Sequence, residues 1–223
     1  MAGGARVVLV HGLARTGRMF APMARALAAH GFEPIRFGFP SRRLTAPQAV
    51  ARFRDYVIGL DRPDEPVNFV GFSLGALMIR GALSPLPDRA LGRVVMIGPP
   101  NRGVRQLRDR QPWWTPLVFG PAVRDLRAGT AFIKGLPEPE IPTGIIAGTR
   151  RFSAVNPSSW VRLLSGDREP SDGTVELANT RLRRPHDFIA LPVNHTFMAR
   201  HSEVIRQTVH FLEQGAFART ARS

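Results

Sequence analysis

The chain has 223 residues, of which 43% are apolar and 22% charged, a balance that fits a globular domain with one sizeable core and excludes intrinsic disorder. Its formal net charge is +14, but the basic residues are almost all arginines, scattered singly apart from pairs such as Arg42-Arg43, Arg150-Arg151 and Arg183-Arg184. Without a basic stripe interleaved with exposed aromatics, this reads as a solvated surface with no nucleic-acid partner, and the lack of cysteine excludes disulfides, thiolate metal sites and a cysteine nucleophile.

The N-terminal MAGGARVVLVHG carries only a short apolar run before its histidine. That is too little for a signal segment or a membrane span, so a cytoplasmic protein with no transmembrane segment is expected. The run VVLV, β-branched and continuous, predicts a buried strand of a parallel sheet. Phe20, Met23 and Leu27 then fall at helical spacing, with Gly31 as a stop. A weaker strand is expected at Ile35 to Phe37. Val50, Phe53, Val57 and Leu60 form one stripe of a second helix, opened by Pro47 and closed near Pro63.

Strand and helix continue to alternate. Strands are expected at Val67 to Val70, Val94 to Ile97, Gly144 to Ala147 and Phe188 to Leu191, with helices over Leu74 to Leu83 and Val204 to Phe211. Such alternation predicts a mostly parallel α/β sheet with helices on both faces, as a single domain over residues 1–223. Residues 99 to 143 break the rhythm. They hold the cluster Trp113, Trp114, Leu117, Val118 and Phe119 and then an apparent helix from Pro121 to about Gly135. The segment 104–138 reads either as a crossover with its packing anchors or as a small lid or acyl-binding wall.

The pentapeptide GFSLG at 71 to 75 matches G-x-S-x-G, and its setting gives the match weight. It follows the apolar run ending at Val70 and precedes the helix-forming LGALMIRGAL, which is the strand-turn-helix context this motif needs. A serine lifted off a sheet on so tight a turn strains its own backbone and requires neighbours nearly without side chains, here Gly71 and Gly75. It also stands at the carboxyl end of a strand, where open α/β sheets place their ligands.

The sequence resembles the α/β-hydrolase superfamily, and is most similar to compact bacterial lipases and esterases without a large cap. The resemblance rests on VVLVHGL at 7 to 13, GFSLG at 71 to 75, IGPPNRG at 97 to 103, SDGTV at 171 to 175 and NHT at 194 to 196. These pieces follow the family order Ser, Asp, His. The HG motif begins at His11, so the resemblance implies a sheet shortened at its N-terminal side.

A serine hydroxyl needs an imidazole within reach and a carboxylate to hold that imidazole's tautomer. Of the six histidines, His30, His201 and His210 sit in or beside helices, and His186 lies at the amino end of its strand, the wrong edge of a parallel sheet. His195 lies just past the carboxyl end of that strand and is the expected base; His11 rivals it by position, but in similar proteins it shapes the loop. For the acid, Asp172 resembles the family's acid loop, and Asp167 is the runner-up. The resemblance further implies an oxyanion hole from the backbone N–H groups of Leu13 and Leu74.

The expected chemistry is hydrolysis of a small-molecule or lipid ester, with Trp113, Trp114 and Phe119 holding an apolar group and with no metal or organic cofactor. An acyltransferase, thioesterase or amidase would share the same residues. A catalytically silent binding protein on this fold is the alternative of a different class.

Overall fold

The run Arg6–Val10 forms a strand, β1, buried on both faces, and five more strands line up parallel to it. These are β2 (Glu33–Phe37), β3 (Val67–Phe72), β4 (Leu91–Ile97), β5 (Thr143–Gly148) and β6 (Asp187–Leu191), in the order β2-β1-β3-β4-β5-β6. The computed structural model describes residues 4–61, 64–84, 86, 90–105, 107, 117, 119–152 and 169–219. Pro34, which cannot donate to a strand ladder, falls on β2 at the sheet edge, where that loss is tolerated.

Seven α-helices are described: α1 (Ala21–Ala29), α2 (Ala46–Ile58), α3 (Leu74–Ala82), α4 (Ala122–Asp125), α5 (Ala131–Gly135), α6 (Leu177–Thr180) and α7 (Ser202–Gln214), with 3-10 turns at Gly17–Phe20 and Met198–Arg200. Helix α2 starts where its sequence says it should. The Thr45 hydroxyl accepts the Gln48 N–H, the Gln48 amide oxygen accepts the Thr45 N–H, and Pro47 occupies the first turn. Helix α7 stops at Gly215, whose left-handed φ of 78° lets its N–H reach the Phe211 carbonyl.

The two-residue period of the strands sorts the core into two layers. Val8, Val10, Phe69 and Val94 pack with Phe53 and Val57 of α2 and Leu77 of α3 on one face. Val7, Leu9, Val70 and Val95 pack with Met23 and Leu27 of α1 and Val204 and Phe211 of α7 on the other. Helices therefore cover both faces, as the alternation predicts. Phe53 is fully buried between Phe37 and Phe69, at ring separations of 5.1 and 6.2 Å, and burying a side chain of that size contributes about 2–3 kcal/mol.

The described strands pair in parallel throughout, in line with the expected mostly parallel sheet. One sequence expectation changes. The helix expected from Pro121 to Gly135 is two short ones, α4 and α5, because Gly129 turns left-handed (φ 86°) and Thr130 opens a new helix by accepting the Ile133 N–H. No helix among the described residues is long and apolar enough to cross a membrane.

The strand order reverses between β1 and β3: the chain leaves β1 toward β2, then returns to add β3 on the other side. The loops leaving the carboxyl ends of these two strands must diverge, and the crevice between them is where such sheets hold a ligand. Ser73 immediately follows β3, and His11 to Leu13 follow β1.

Candidate active site

Ser73 has φ 53° and ψ −118°, a combination that a non-glycine residue adopts only when its surroundings enforce it. Its N–H is tied to the Ile97 carbonyl at 2.9 Å, and its own carbonyl accepts the Ala76 N–H at 3.0 Å. The turn is tight enough to bring the start of α3 against the end of β1. A Cβ on Gly75 would lie 2.1 Å from the Val10 carbonyl oxygen, and one on Gly71 would lie 2.5 Å from the Ala76 Cα. A side chain at 75 would push the turn away from β1, and one at 71 would push α3 away from β3.

His195 comes from the loop after β6, and its Nε2 lies 3.1 Å from Ser73 Oγ. Its Nδ1 lies 2.6 Å from Asp172 Oδ2. An ionised carboxylate can only accept, so Nδ1 carries the proton toward Asp172 and Nε2 is left to accept from the serine hydroxyl. Asp172 is 1% exposed. Its other oxygen accepts the N–H groups of Thr174 at 2.9 Å and Val175 at 2.8 Å, so the SDGTV turn folds around its own carboxylate. The main chain repeats the link, with the His195 N–H donating to the Asp172 carbonyl at 2.9 Å. Phe72 packs beside the imidazole at a ring separation of 4.8 Å.

The loop after β1 lies against the serine: a Cβ on Gly12 would stand 3.1 Å from Ser73 Cβ. No acceptor among the described residues takes the N–H of Leu13 or of Leu74. Ala14 carries the left-handed φ of 53° that turns this loop. His11 is buried and stacks on Phe39 at 4.3 Å. Its Nδ1 donates to the Gly12 carbonyl at 2.9 Å, and Nε2 faces the Phe39 N–H at 3.5 Å. Burial lowers its pKa below the ordinary 6.5, against the raising effect of the Gly12 hydrogen bond.

The remaining histidines have local partners. His30 meets Glu213 at 2.8 Å, His186 meets the Arg184 carbonyl, His201 caps α7 through the Glu203 N–H, and His210 meets the Ala216 carbonyl. Asp187, at the amino end of β6, accepts the Phe217 N–H at 2.6 Å and pairs with Arg219. Trp113, Trp114 and Asp167 lie outside the described residues, as does part of the segment 104–138. Phe119 is half-buried beside Gly120, whose missing Cβ would touch the Arg42 backbone at 2.6 Å. Phe197 and Phe152, which the motifs do not single out, are 51% and 46% exposed in the loops after β6 and β5. No group of three or more His, Asp or Glu among the described residues is placed to hold a metal ion.

A sequence model described as the alpha/beta hydrolase family matches residues 7–218. Among solved structures, the fold is similar to the mature lipase BlEst2 of Bacillus licheniformis, at 18% identity and TM-score 0.72 over 95% of this chain and 90% of that one. It is also similar to a metagenomic carboxyl esterase, at 18% identity and TM-score 0.65 over 87% and 65% of the two chains. The phospholipase PlaB of Legionella pneumophila matches at 17% identity and TM-score 0.63, over 84% of this chain and 52% of that one. No curated protein sequence matches the chain significantly.

Proposed function

The chain belongs to the alpha/beta hydrolase family, and on that footing we propose that it cleaves carboxylic esters through an acyl-enzyme formed on Ser73. The observation that carries this reading is the continuous chain from Ser73 Oγ through His195 to the buried Asp172, at 3.1 and 2.6 Å. In this mechanism the Ser73 oxygen attacks the ester carbonyl while His195 Nε2 takes its proton, and the oxygen of the carbonyl becomes an oxyanion. The imidazolium, stabilised by Asp172, then protonates the departing alcohol. Water, activated by the same imidazole, attacks the acyl-enzyme and releases the acid and free Ser73.

The oxyanion is received by the backbone N–H groups of Leu13 and Leu74. The absence of a described acceptor for either group supports this, as does the position of Leu74 at the start of α3, where the helix dipole favours negative charge. An apolar acyl or alcohol group is the substrate's handle. Supporting it are the exposed Phe197, two residues beyond His195, and Phe152 at the same edge of the sheet. The reaction as written calls on no metal or organic cofactor.

The test is a series of p-nitrophenyl esters of increasing acyl length. Turnover should rise with chain length before levelling off, and Ser73→Ala should lower kcat by orders of magnitude. Equal hydrolysis by wild type and Ser73→Ala would end the reading, whereas a flat chain-length profile would remove only the apolar handle. A matched series of thioesters and anilides ranks ester cleavage against the chemistries that share the triad.

A further inference from the structure

The GPPNRG run at 98 to 103 and the one charged residue of α3 take no direct part in the proposed triad, yet together they build a buried polar junction. Arg80 is 6% exposed. Its Nε donates to the Pro137 carbonyl at 2.6 Å. Nη1 reaches the Asn101 carbonyl at 3.0 Å and its side-chain oxygen at 3.4 Å, while Nη2 reaches the Leu136 carbonyl at 3.0 Å and Glu138 Oε1 at 2.9 Å. Burial lowers the pKa of this guanidinium, opposed by the neighbouring Glu138 carboxylate. A cation out of water is tolerated only when so fully engaged.

The junction leads to the acid. Asn101, 3% exposed, donates its amide N–H to the Thr180 carbonyl at 2.7 Å, and the next residue donates its backbone N–H to the Asn179 carbonyl at 3.0 Å. Asn179 and Thr180 end the segment that begins with the Asp172 turn. That segment is closed on itself by the Ser171 to Glu176 bridge and by the Leu177 N–H on the Pro170 carbonyl at 2.8 Å. Beyond α6, Glu138 Oε2 accepts the N–H groups of Arg183 at 2.9 Å and Arg184 at 3.3 Å. Arg80 thus grips the stretch carrying Asp172 through Asn101 on one side and Glu138 on the other. Hydrogen bonds and chain segments together close a ring: Ser73, His195 and Asp172, the chain from Asp172 to Thr180, then Asn101 and Arg80, and back along α3 to Ser73.

We propose that Arg80 and Asn101 are positioning residues that hold the Asp172 loop at a fixed height against α3. The inference rests on the reading of Ser73, His195 and Asp172 as a catalytic triad. It explains why a cation occupies a helix whose other described neighbours are apolar: a purely hydrophobic side chain at 80 would pack but could not bind the loop. Because carboxylate and nucleophile come from separate elements, a small slip between them misaligns the imidazole, and a displacement of about 1 Å in such a site can cost about 10²-fold in rate.

The test is a double-mutant cycle with Asn101→Asp and Asp172→Asn on a p-nitrophenyl ester. Asn101→Asp keeps an oxygen for Arg80 but replaces the donor to Thr180 with a carboxylate oxygen that repels it. The folded variant should lose about 10- to 100-fold in kcat with KM changed less than about twofold. In the Asp172→Asn background the same substitution should change kcat by less than about twofold, because its effect passes through a group already disabled. Arg80→Lys, which retains the charge beside Glu138 but not the fork to Asn101, takes its place in the cycle if Asn101→Asp does not fold. Losses that multiply in the double variant, or an unchanged kcat in a folded single variant, overturn the proposal and leave the triad standing. If instead Ser73→Ala and Asp172→Asn both match wild type, the triad reading itself has failed.

Discussion

A side chain on Gly148 would place its Cβ 2.6 Å from the Cβ of Asp172. The last residue of β5 therefore touches the acid directly, and the same Cβ would stand 2.5 Å from the Val193 carbonyl oxygen, two residues before His195. Strand β5 thus backs Asp172 and the loop leading to His195 at one point.

Gly148→Ala should therefore cost about 1–3 kcal/mol of stability by overpacking and lower kcat further by moving the acid from the imidazole. Gly135→Ala is the comparison, since a Cβ there meets nothing within 4 Å. Thermal melts and initial rates on both variants check this, with activity loss expected at 148 and none at 135.

Asp172→Asn should lower kcat about 10⁴-fold with the fold intact. The asparagine oxygen still accepts the Thr174 and Val175 N–H groups, so the turn survives. Its amide donates where the carboxylate accepted and imposes the wrong imidazole tautomer. If Asp172 is the acid, Asp167→Asn should leave turnover within about twofold. Steady-state kinetics on the two variants distinguish the acids, and a large loss at 167 with none at 172 would reverse the assignment.

His11 predicts a pH dependence of stability. Its folded pKa is lowered from 6.5 by burial, so the unfolded chain takes up the proton first and stability falls as pH drops below 6.5. Above that value both states are neutral at this residue and the contribution is constant. His11→Gln should melt lower at neutral pH, having lost the ring stacked on Phe39, yet lose less on acidification. Melting temperatures of the two proteins across this range compare the slopes, and parallel slopes would reject the role given to His11.

Much of the fold is legible in the sequence because each strand is a local apolar run and each long helix shows its own stripe. The meeting of Ser73, Asp172 and His195 is legible for a related reason. Strand polarity alone puts the residues after Phe72 and Leu191 on one edge of a parallel sheet, and SDGTV bonds to its own backbone within three residues. What is not legible depends on partners far along the chain. Gly148 reads as an ordinary strand end until Val193 and Asp172 are brought beside it. Arg80 reads as a solvated arginine, although its position among LGALMI and GAL was a hint that it is buried and must find partners. Those partners are 21 and 57 residues away, at Asn101 and Pro137. The helix expected over 121–135 failed for a local reason, since the spacing of its apolar residues gave no warning that Gly129 would turn left-handed.

The central claim is that Ser73 is the nucleophile, and a fluorophosphonate probe tests it most directly. The probe's phosphorus should bond to Ser73 Oγ with loss of fluoride, so intact mass should rise by one adduct and peptide mapping should place it within VNFVGFSLGALMIR. Ser73→Ala should take up none. Labelling of wild type and Ser73→Ala to the same extent, or an adduct mapped to another residue, would contradict the account.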